Sequence, residues 1–332
     1  MSGPKDQMTV GFDDIAETAL DWHQAGKGAV LATVVSTWGS APRPVGSQLA
    51  VSGQGDIAGS VSGGCVEGAV VIEAQSALAD NTSRLLEYGV SDDDAFAVGL
   101  ACGGTIRILV EPIGAALSPA MLIRIIAARA ARQPAAYSVN VRTWDRTLDV
   151  GAAVSGELAP LMHADKSGFL GDVFVKIHNP PLRMAVVGAV HIAQPLLQMA
   201  RLMGFDTVLI DPRQAFATPE RFPDQPITHD WPDEALQTYG LDARTAVVTL
   251  SHDPKIDDPA ILQTLRSEAF YLGCLGSTRT HAKRVSRLQA GGVALNEIAR
   301  ISGPVGLDIG AKSPAEIAIS ILAEITCRLR KN

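Results

Sequence analysis

The sequence predicts an α/β fold in two domains: an N-terminal mixed α/β domain with a β-rich core, followed by a C-terminal domain with a doubly wound parallel sheet. The chain has 332 residues, more than one ordinary hydrophobic core supports. Apolar and β-branched runs characterise the N-terminal part, whereas strand and helix patterns alternate after residue 180. The adjacent prolines in His178-Asn179-Pro180-Pro181 end a strand and stiffen the connection, so we expect domains 1–178 and 179–332.

Composition and charge exclude several classes of protein. Hydrophobic residues make up 47% of the chain and charged residues 19%, which is typical of a packed globular protein. A net charge of −7 with 5% aromatic residues argues against nucleic acid, which requires a basic face and stacking surfaces. The N-terminus lacks the apolar segment of a signal peptide, and no run reaches the roughly 18 apolar residues that span a bilayer. The four cysteines have no zinc-binding spacing, and we expect a cytoplasmic protein with reduced thiols and no membrane partner.

The N-terminal domain is expected to begin with an amphipathic helix over Asp13–Ala25 and a buried strand over Ala29–Thr37. Prolines and glycines fix the backbone of the next loop, Trp38–Gly46, whose one charge is Arg43. A guanidinium on a stiff loop suits bidentate binding of phosphate or carboxylate, and a structural ion pair is the alternative. A hairpin is predicted next, over residues 48–60.

The most informative stretch is Gly59–Glu67, which leads from that hairpin into a predicted helix over Val66–Asp80. Two glycines precede Cys65, and a helix N-terminus favours a thiolate, so the pKa of Cys65 is expected below that of a free thiol. Cys102 lies in a second glycine-rich loop, before a predicted strand over Thr105–Val110. Cysteines in two such loops indicate reactive thiols, and small buried hydrophobic residues are the alternative.

The rest of this domain is predicted to add strands over Arg84–Tyr88, Tyr137–Arg142 and Gly171–Ile177, and a helix over Pro119–Arg132. The last two strands frame a turn-rich segment.

The C-terminal domain opens with a predicted βαβ unit: a strand over Arg183–Val187, the turn Gly188–Ala193, a helix to Gly204, and a strand over Thr207–Ile210 that ends on Asp211. This order is typical of a Rossmann-like, dinucleotide-binding unit, and Asp211 falls where a ribose-binding carboxylate belongs. The second glycine of the fingerprint, where the backbone approaches a pyrophosphate, is replaced by Val190. The pattern therefore predicts the fold, while Val190 counts against tight NAD binding.

Polar loops follow two further predicted strands, Thr245–Leu250 and Ala269–Leu272. Ligands of open α/β sheets bind beyond the carboxyl ends of the strands, so these loops predict a cleft, with ordinary caps and turns as the alternative. The candidate binding residues at this edge are Gly188, Asp211, Arg213, His252, Asp253, Cys274, Ser277 and Arg279.

Longer motifs carry a family resemblance. They are Gly39–Gly46, Gly63–Glu67, Cys102–Gly104, Val208–Arg213, Glu220–Pro223, Ser251–Asp253, Gly276-Ser277 and Gly306–Ala311. With these motifs the sequence resembles the xanthine dehydrogenase accessory protein (XdhC/CoxI) family over nearly the whole chain.

The resemblance implies a cytoplasmic, homodimeric maturation factor that is not itself an enzyme. Such a factor binds molybdenum cofactor (molybdopterin), supports its sulfuration by a cysteine desulfurase, and delivers it to a molybdenum hydroxylase of the xanthine dehydrogenase type. In this interpretation Cys65 and Cys102 face the metal or its sulfur, because soft thiolates suit the metal, and Arg43 binds an anionic group of the cofactor.

Two other functions stay open from the residues alone. An NAD(P)-dependent oxidoreductase would use the βαβ unit, with His252 or Asp253 as acid or base. A non-catalytic docking scaffold would bind the desulfurase or the hydroxylase without holding cofactor.

Overall fold

Residue contacts divide the chain into two units, Met1–Pro180 and Pro181–Asn332, here called the N-terminal and C-terminal units. The computed structural model describes residues 15–39, 43–89, 104–114, 116–154 and 156–331. Within these ranges no helix is both long and apolar enough to cross a membrane. The predicted α/β class is confirmed, with a mixed N-terminal unit and a parallel sheet in the C-terminal unit.

The first sheet of the N-terminal unit is antiparallel. Its strands are β1 (Ala29–Trp38), β2 (Gln48–Ser52), β3 (Ile57–Gly59), β4 (Arg84–Tyr88) and β5 (Thr105–Pro112), in the order β3-β2-β1-β5-β4. The helices of this layer are α1 (Ile15–Gln24), α2 (Glu67–Asp80) and α3 (Pro119–Ala130). Side chains alternate along a strand, so β1 buries both faces: Leu31 and Val35 pack on the side of α1 and α3, and Val30 and Val34 on the side of α2.

A second antiparallel sheet completes the N-terminal unit. Its strands are β6 (Ala135–Asn140), β7 (Arg146–Val150), β8 (Gly168–Leu170) and β9 (Val173–His178), in the order β7-β6-β9-β8. A short helix, α4 (Ala159–His163), and two 3₁₀ turns (Gly151–Ala153 and Gly156–Leu158) lie between β7 and β8. The turn-rich segment of the sequence thus contains two short strands that the pattern did not predict, because both are mostly half-buried and lack apolar alternation.

A buried polar network joins the two sheets. The Glu111 carboxylate on β5 accepts hydrogen bonds from Tyr137 OH at 2.7 Å and from Arg146 Nε at 2.8 Å. Arg146 also donates to Ser83 Oγ at 2.6 Å. Burial raises the pKa of Glu111, and the bonds from Tyr137 and Arg146 oppose that rise. Each polar atom named here is hydrogen-bonded, which is what permits the network to be buried.

The C-terminal unit has six parallel strands: β10 (Arg183–Val187), β11 (Asp206–Ile210), β12 (Ile227–Thr228), β13 (Thr245–Thr249), β14 (Tyr271–Cys274) and β15 (Ile301–Ser302). Their spatial order, β12-β11-β10-β13-β14-β15, corresponds to 3-2-1-4-5-6 within the unit, which is the Rossmann order. The helices are α5 (Ala193–Leu202), α6 (Pro232–Tyr239), α7 (Pro254–Leu265), α8 (Thr278–Ala290), α9 (Leu295–Ile298) and α10 (Pro314–Lys331).

Helices cover both faces of this sheet. Met184 and Val186 of β10 pack in a cluster with α5 and α10, whereas Ala185 and Val187 pack with α6, α7 and α8. A strand buried on both faces is apolar along its whole length, which explains why Arg183–Val187 was predictable as a strand. The switch in strand order between β10 and β13 places the expected ligand crevice at their carboxyl ends.

Candidate functional site

The loop Gly59–Glu67, called the Cys65 loop from here on, curls around the carboxylate of Glu67. Glu67 Oε1 accepts hydrogen bonds from Ser60 Oγ at 2.7 Å, from Val61 N–H at 3.2 Å and from Ser62 N–H at 2.9 Å. Glu67 Oε2 accepts from Gly64 N–H at 2.9 Å and from the Ser62 hydroxyl. The first residue of α2 thus binds the backbone of the loop that precedes it, and that loop is held in one conformation.

The pKa of Glu67 reports the same arrangement. Partial burial alone would raise it, but the hydrogen bonds from the Ser62 and Ser60 hydroxyls and from the Ser62 N–H outweigh burial and lower it to about 2. The carboxylate is therefore ionised at neutral pH.

Cys65 lies at the turn of this loop. It is a free, half-buried cysteine that packs against the cluster on the α2 side of the first sheet. Gly63 and Gly64, on its N-terminal side, are exposed and have φ values of 73° and 109°, which glycine adopts without strain. On its other side, Val66 N–H donates to Ser62 Oγ at 2.8 Å. The Cys65 thiol thus follows two exposed glycines within a backbone fixed from both directions.

Cys102, the predicted partner of Cys65, lies outside the described residues. Arg43 lies within them, half-buried, and lines a cleft with residues of α1 and of the second sheet; Cys65 is not among the lining residues. Ile15, which shares that cleft, packs in the cluster on the opposite face of the first sheet from Cys65. The sequence pattern grouped Arg43 and Cys65 in one site. The structure does not place them in the same cleft, although Gln48, which lines the Arg43 cleft, accepts a hydrogen bond from Ser60 N–H of the Cys65 loop at 3.0 Å.

In the C-terminal unit, Asp211 ends β11 and is fully buried. Its Oδ2 accepts from Ala189 N–H at 2.7 Å and from Arg213 Nη2 at 2.7 Å, and its Oδ1 accepts from Arg213 N–H and Nε, each at 2.9 Å. Burial alone would raise the pKa of Asp211, but the bonds from Arg213 and Ala189 outweigh it and lower the pKa below 3.8. Four donors of this chain therefore surround the carboxylate that the spacing assigned to a ribose.

Gly188 permits two strand ends to meet. Its φ is 106°, and a Cβ there would lie 2.7 Å from the backbone nitrogen of Ser251, two residues after β13. Only glycine fits this position without displacing backbone.

The loop after β13 is ordered by its own polar groups. Ser251 Oγ donates to Asp257 Oδ1 at 2.6 Å, and the Asp253 carboxylate caps α7 by accepting from Lys255 N–H at 2.9 Å. His252 is exposed and has a left-handed φ of 63°. The hydrogen bond to Asp211 raises the pKa of Arg213, and the charges of Asp253 and Asp257 raise it further. Asp211 follows β11 and Asp253 follows β13, so both lie at the carboxyl edge of the parallel sheet.

The remaining candidates follow β14. Ser277 caps α8, accepting from Thr280 N–H at 3.2 Å, and Arg279 is exposed on the first turn of that helix. Cys274 is fully buried, and burial raises its pKa to about 11 against the opposing charge of Arg284. Cys274 is thus a protonated core residue at neutral pH.

Sequence reasoning missed the role of Glu67, although it quoted the residue within a motif. Ser60 and Ser62 lie seven and five residues before Glu67, a spacing that matches no helix-capping motif, so the sequence offered no local signal for these contacts.

The fold and the site together define a two-unit α/β protein. Its C-terminal unit has a Rossmann sheet, and its N-terminal unit has the Cys65 loop, whose backbone is hydrogen-bonded to the Glu67 carboxylate. The model of the XdhC and CoxI family matches residues 22–89, and that of the XdhC Rossmann domain matches residues 184–325. A Bacillus subtilis (strain 168) protein, described as a probable xanthine dehydrogenase subunit, is 31% identical, over 90% of this chain and 92% of that protein. The chain belongs to the XdhC and CoxI family.

Two further proteins are similar over nearly the whole chain. The molybdenum cofactor insertion chaperone PaoD of Escherichia coli (strain K12) is 29% identical, over 96% of this chain and 89% of that protein. A crystal structure described as a xanthine dehydrogenase from Bacillus halodurans superposes with a TM-score of 0.75 at 26% identity, covering 96% of each chain. The resemblance identified from the motifs is thereby confirmed at the level of the family.

Proposed function

We propose that this protein is a molybdenum cofactor insertion chaperone, and that Cys65 is a thiol through which it holds its cargo. The observation that carries the proposal is the Cys65 loop, in which Glu67 fixes the backbone around a half-buried thiol, in a chain similar to a chaperone of this kind. The client would be a molybdenum hydroxylase, as the names of the similar proteins suggest.

The residues present fit such a cargo. In the described ranges no group of three or more His, Cys, Asp or Glu side chains is arranged to hold a bare metal ion. Molybdenum cofactor brings two dithiolene sulfurs of its own, so a carrier needs to add only a soft thiolate and contacts to the pterin. Cys65 supplies the thiolate in this proposal, with Cys102 as a second thiol and Arg43 on an anionic group.

The test uses the full chain under anaerobic conditions. The protein is mixed with released molybdenum cofactor and passed over a gel-filtration column, and bound molybdenum and the fluorescence of the oxidised pterin are both measured. We expect near-stoichiometric retention by the wild type and by Cys327→Ser, a matched control because Cys327 is another half-buried free cysteine. Retention should fall at least about tenfold in Cys65→Ser. Full cofactor retention by Cys65→Ser would show that the Cys65 thiol is not needed to hold the cofactor.

Sulfuration by a cysteine desulfurase and delivery to the client form the second part of the proposal. Loaded protein is incubated with a cofactor-free hydroxylase, with and without a desulfurase and cysteine, and the hydroxylase activity is followed. Activation that requires both the loaded chaperone and the desulfurase supports this part. Activation by unloaded protein plus separately added cofactor would instead favour a docking scaffold.

We also propose a cytoplasmic homodimer. Light scattering on the purified protein should give twice the mass of the 34.8 kDa chain. A mass that stays at one chain across the micromolar range would contradict the dimer.

The geometry of Asp211 weighs against the NAD(P) alternative. A ribose hydroxyl needs a carboxylate lone pair, and both oxygens of Asp211 already accept two hydrogen bonds each. Difference spectroscopy with NADH and NADPH should therefore show no binding at submillimolar concentration. Saturable binding with turnover would instead favour an NAD(P)-dependent oxidoreductase.

A further inference from the structure

A cleft of about 310 Å³ opens in the N-terminal unit, where the loop after β1 meets the second sheet. Its polar lining residues are Arg43, Ser47, Gln48, Asp165, Ser167, Lys176 and His178. Sequence reasoning identified Arg43 as an anion-binding candidate but had no means to place Ser167 or Lys176 beside its loop, since more than 120 residues separate them in the chain.

Gly46 permits the close approach of the two elements. Its φ is 91°, and a Cβ there would lie 2.8 Å from Ser167 Oγ and 3.3 Å from Lys176 Nζ. Ser167 Oγ accepts a hydrogen bond from Ile177 N–H at 3.1 Å, which fixes the position of the oxygen, and a hydroxyl also has one O–H to donate. An ammonium group and a hydroxyl group are thus held beside the backbone of the Arg43 loop.

The charge of the cleft favours an anion. Arg43 and Lys176 are cationic and Asp165 is the one carboxylate among the lining residues, so the lining carries a net charge of about +1 at neutral pH. Burial, together with the charges of Lys176 and Arg129, lowers the pKa of His178 well below 6.5, so the imidazole adds no charge. This local positive charge lies on a chain whose net charge is −7.

We propose that this cleft binds a phosphate monoester, with Arg43, Lys176 and Ser167 as its donors. A guanidinium fork, an ammonium and a hydroxyl match the three terminal oxygens of a tetrahedral dianion better than the two oxygens of a carboxylate. The cleft is also larger than a bare carboxylate requires. The inference rests on the proposed function in one respect: the cargo that we expect the protein to carry bears such a phosphate.

The test is a phosphorus NMR titration of the full chain with inorganic phosphate, at constant ionic strength maintained with chloride. We expect saturable binding by the wild type, and at least about tenfold weaker binding by Lys176→Ala and by Arg43→Gln, because each loses a hydrogen bond to a charged group. Lys176→Arg keeps the charge and should stay within about threefold of the wild type. Lys27→Ala, which removes an exposed lysine from the turn before β1, is the matched control and should bind as the wild type does.

Wild-type affinity in both Lys176→Ala and Arg43→Gln, with unchanged melting temperatures, would overturn the proposal. The same variants are then assayed for cofactor retention. Weaker phosphate binding together with weaker retention supports the cleft as the phosphate subsite of the cargo. Weaker phosphate binding with full cofactor retention would show that the cleft is not the phosphate subsite of the cargo, and it would not affect the proposal for Cys65. Cofactor retention by Cys65→Ser would contradict the role of the Cys65 thiol, and it would not affect the proposal for the cleft.

Discussion

Glu67 is the residue on which the conformation of the Cys65 loop depends. Replacing it with glutamine turns one carboxylate oxygen into an NH₂ group, which cannot accept from the donors that now face it. We expect Glu67→Gln to lower the free energy of unfolding at pH 7 by about 1–2 kcal/mol, a value discounted for the partial exposure of the carboxylate. Urea denaturation measures this change, and alkylation of Cys65 should become faster as the loop opens.

Glu73→Gln is the matched control, because Glu73 lies on the same helix and forms an exposed ion pair, 3.5 Å from Arg84 Nε. Its effect should stay within about 0.5 kcal/mol. Equal effects of the two substitutions would contradict a special role for Glu67.

The pH dependence of the Glu67 contribution follows from the direction of its pKa shift. A carboxylate whose pKa falls from 4.5 to about 2 on folding stabilises the folded state above pH 4.5, and the contribution is lost as the pH falls toward 2. The stability difference between wild type and Glu67→Gln should therefore shrink between pH 5 and pH 2. A difference that stays constant over this range would show that the charge is not what stabilises the loop.

Asp211 joins the glycine turn after β10 to Arg213. We expect Asp211→Asn to destabilise the C-terminal unit by about 2–3 kcal/mol, because an amide cannot replace both oxygens and the Arg213 charge loses its buried partner. Asp206→Asn, at the exposed start of the same strand, is the control and should have an effect below about 0.5 kcal/mol. Chemical denaturation of both variants measures the two changes in stability. If Asp211→Asn left the stability unchanged, the hydrogen bonds to Ala189 and Arg213 would be dispensable.

Individual site residues were predictable where spacing along the chain determines them. Gly188 and Asp211 were found because a βαβ unit places a glycine and an acid at known distances from its strands. The contacts of Glu67 were not found, since they depend on how the nine-residue Cys65 loop curls in three dimensions. Lys176 was missed for a similar reason: its position beside Gly46 arises only when the second sheet packs against the loop after β1.

At the scale of secondary-structure elements, two glycine substitutions distinguish a position where alanine fits from one where close packing requires glycine. Gly68 lies in α2, is exposed, and has no atom near the position of a new Cβ, so Gly68→Ala should stabilise the protein by about 0.5–1 kcal/mol. Gly188→Ala should destabilise it by about 2 kcal/mol or more, because the new methyl group would meet the backbone of Ser251, just after β13, at a positive φ. Thermal denaturation of the two variants should therefore show shifts of opposite sign, and shifts of the same sign would contradict the account of either position.

Whole strands and helices were predictable where burial imposes a clear period. The five strands β10, β11, β13, β5 and β1 are continuous apolar runs or close to it, and all were predicted. Strands β7 and β8 have few buried residues, so no period in the sequence marked them. The strand order of the sheets could not be obtained from local patterns, because it depends on pairing between distant segments.

At the scale of the whole molecule, each hydrophobic cluster lies within one unit. Leu109 belongs to a cluster of the N-terminal unit and Leu196 to one of the C-terminal unit, and both side chains are fully buried. We expect Leu109→Ala and Leu196→Ala each to cost about 2–5 kcal/mol. Calorimetry should show that each substitution lowers the melting transition of its own unit more than that of the other. Equal shifts of all transitions by both variants would show a single cooperative unit instead.

The two outermost strands of the parallel sheet, β12 and β15, are each only two residues long, whereas the four strands between them have four or five. A long, unpaired edge offers a row of amide and carbonyl groups to which a strand from another molecule can add, and a two-residue edge offers very few. The tapered sheet thus gives the C-terminal unit protection against aggregation by strand addition at its edges.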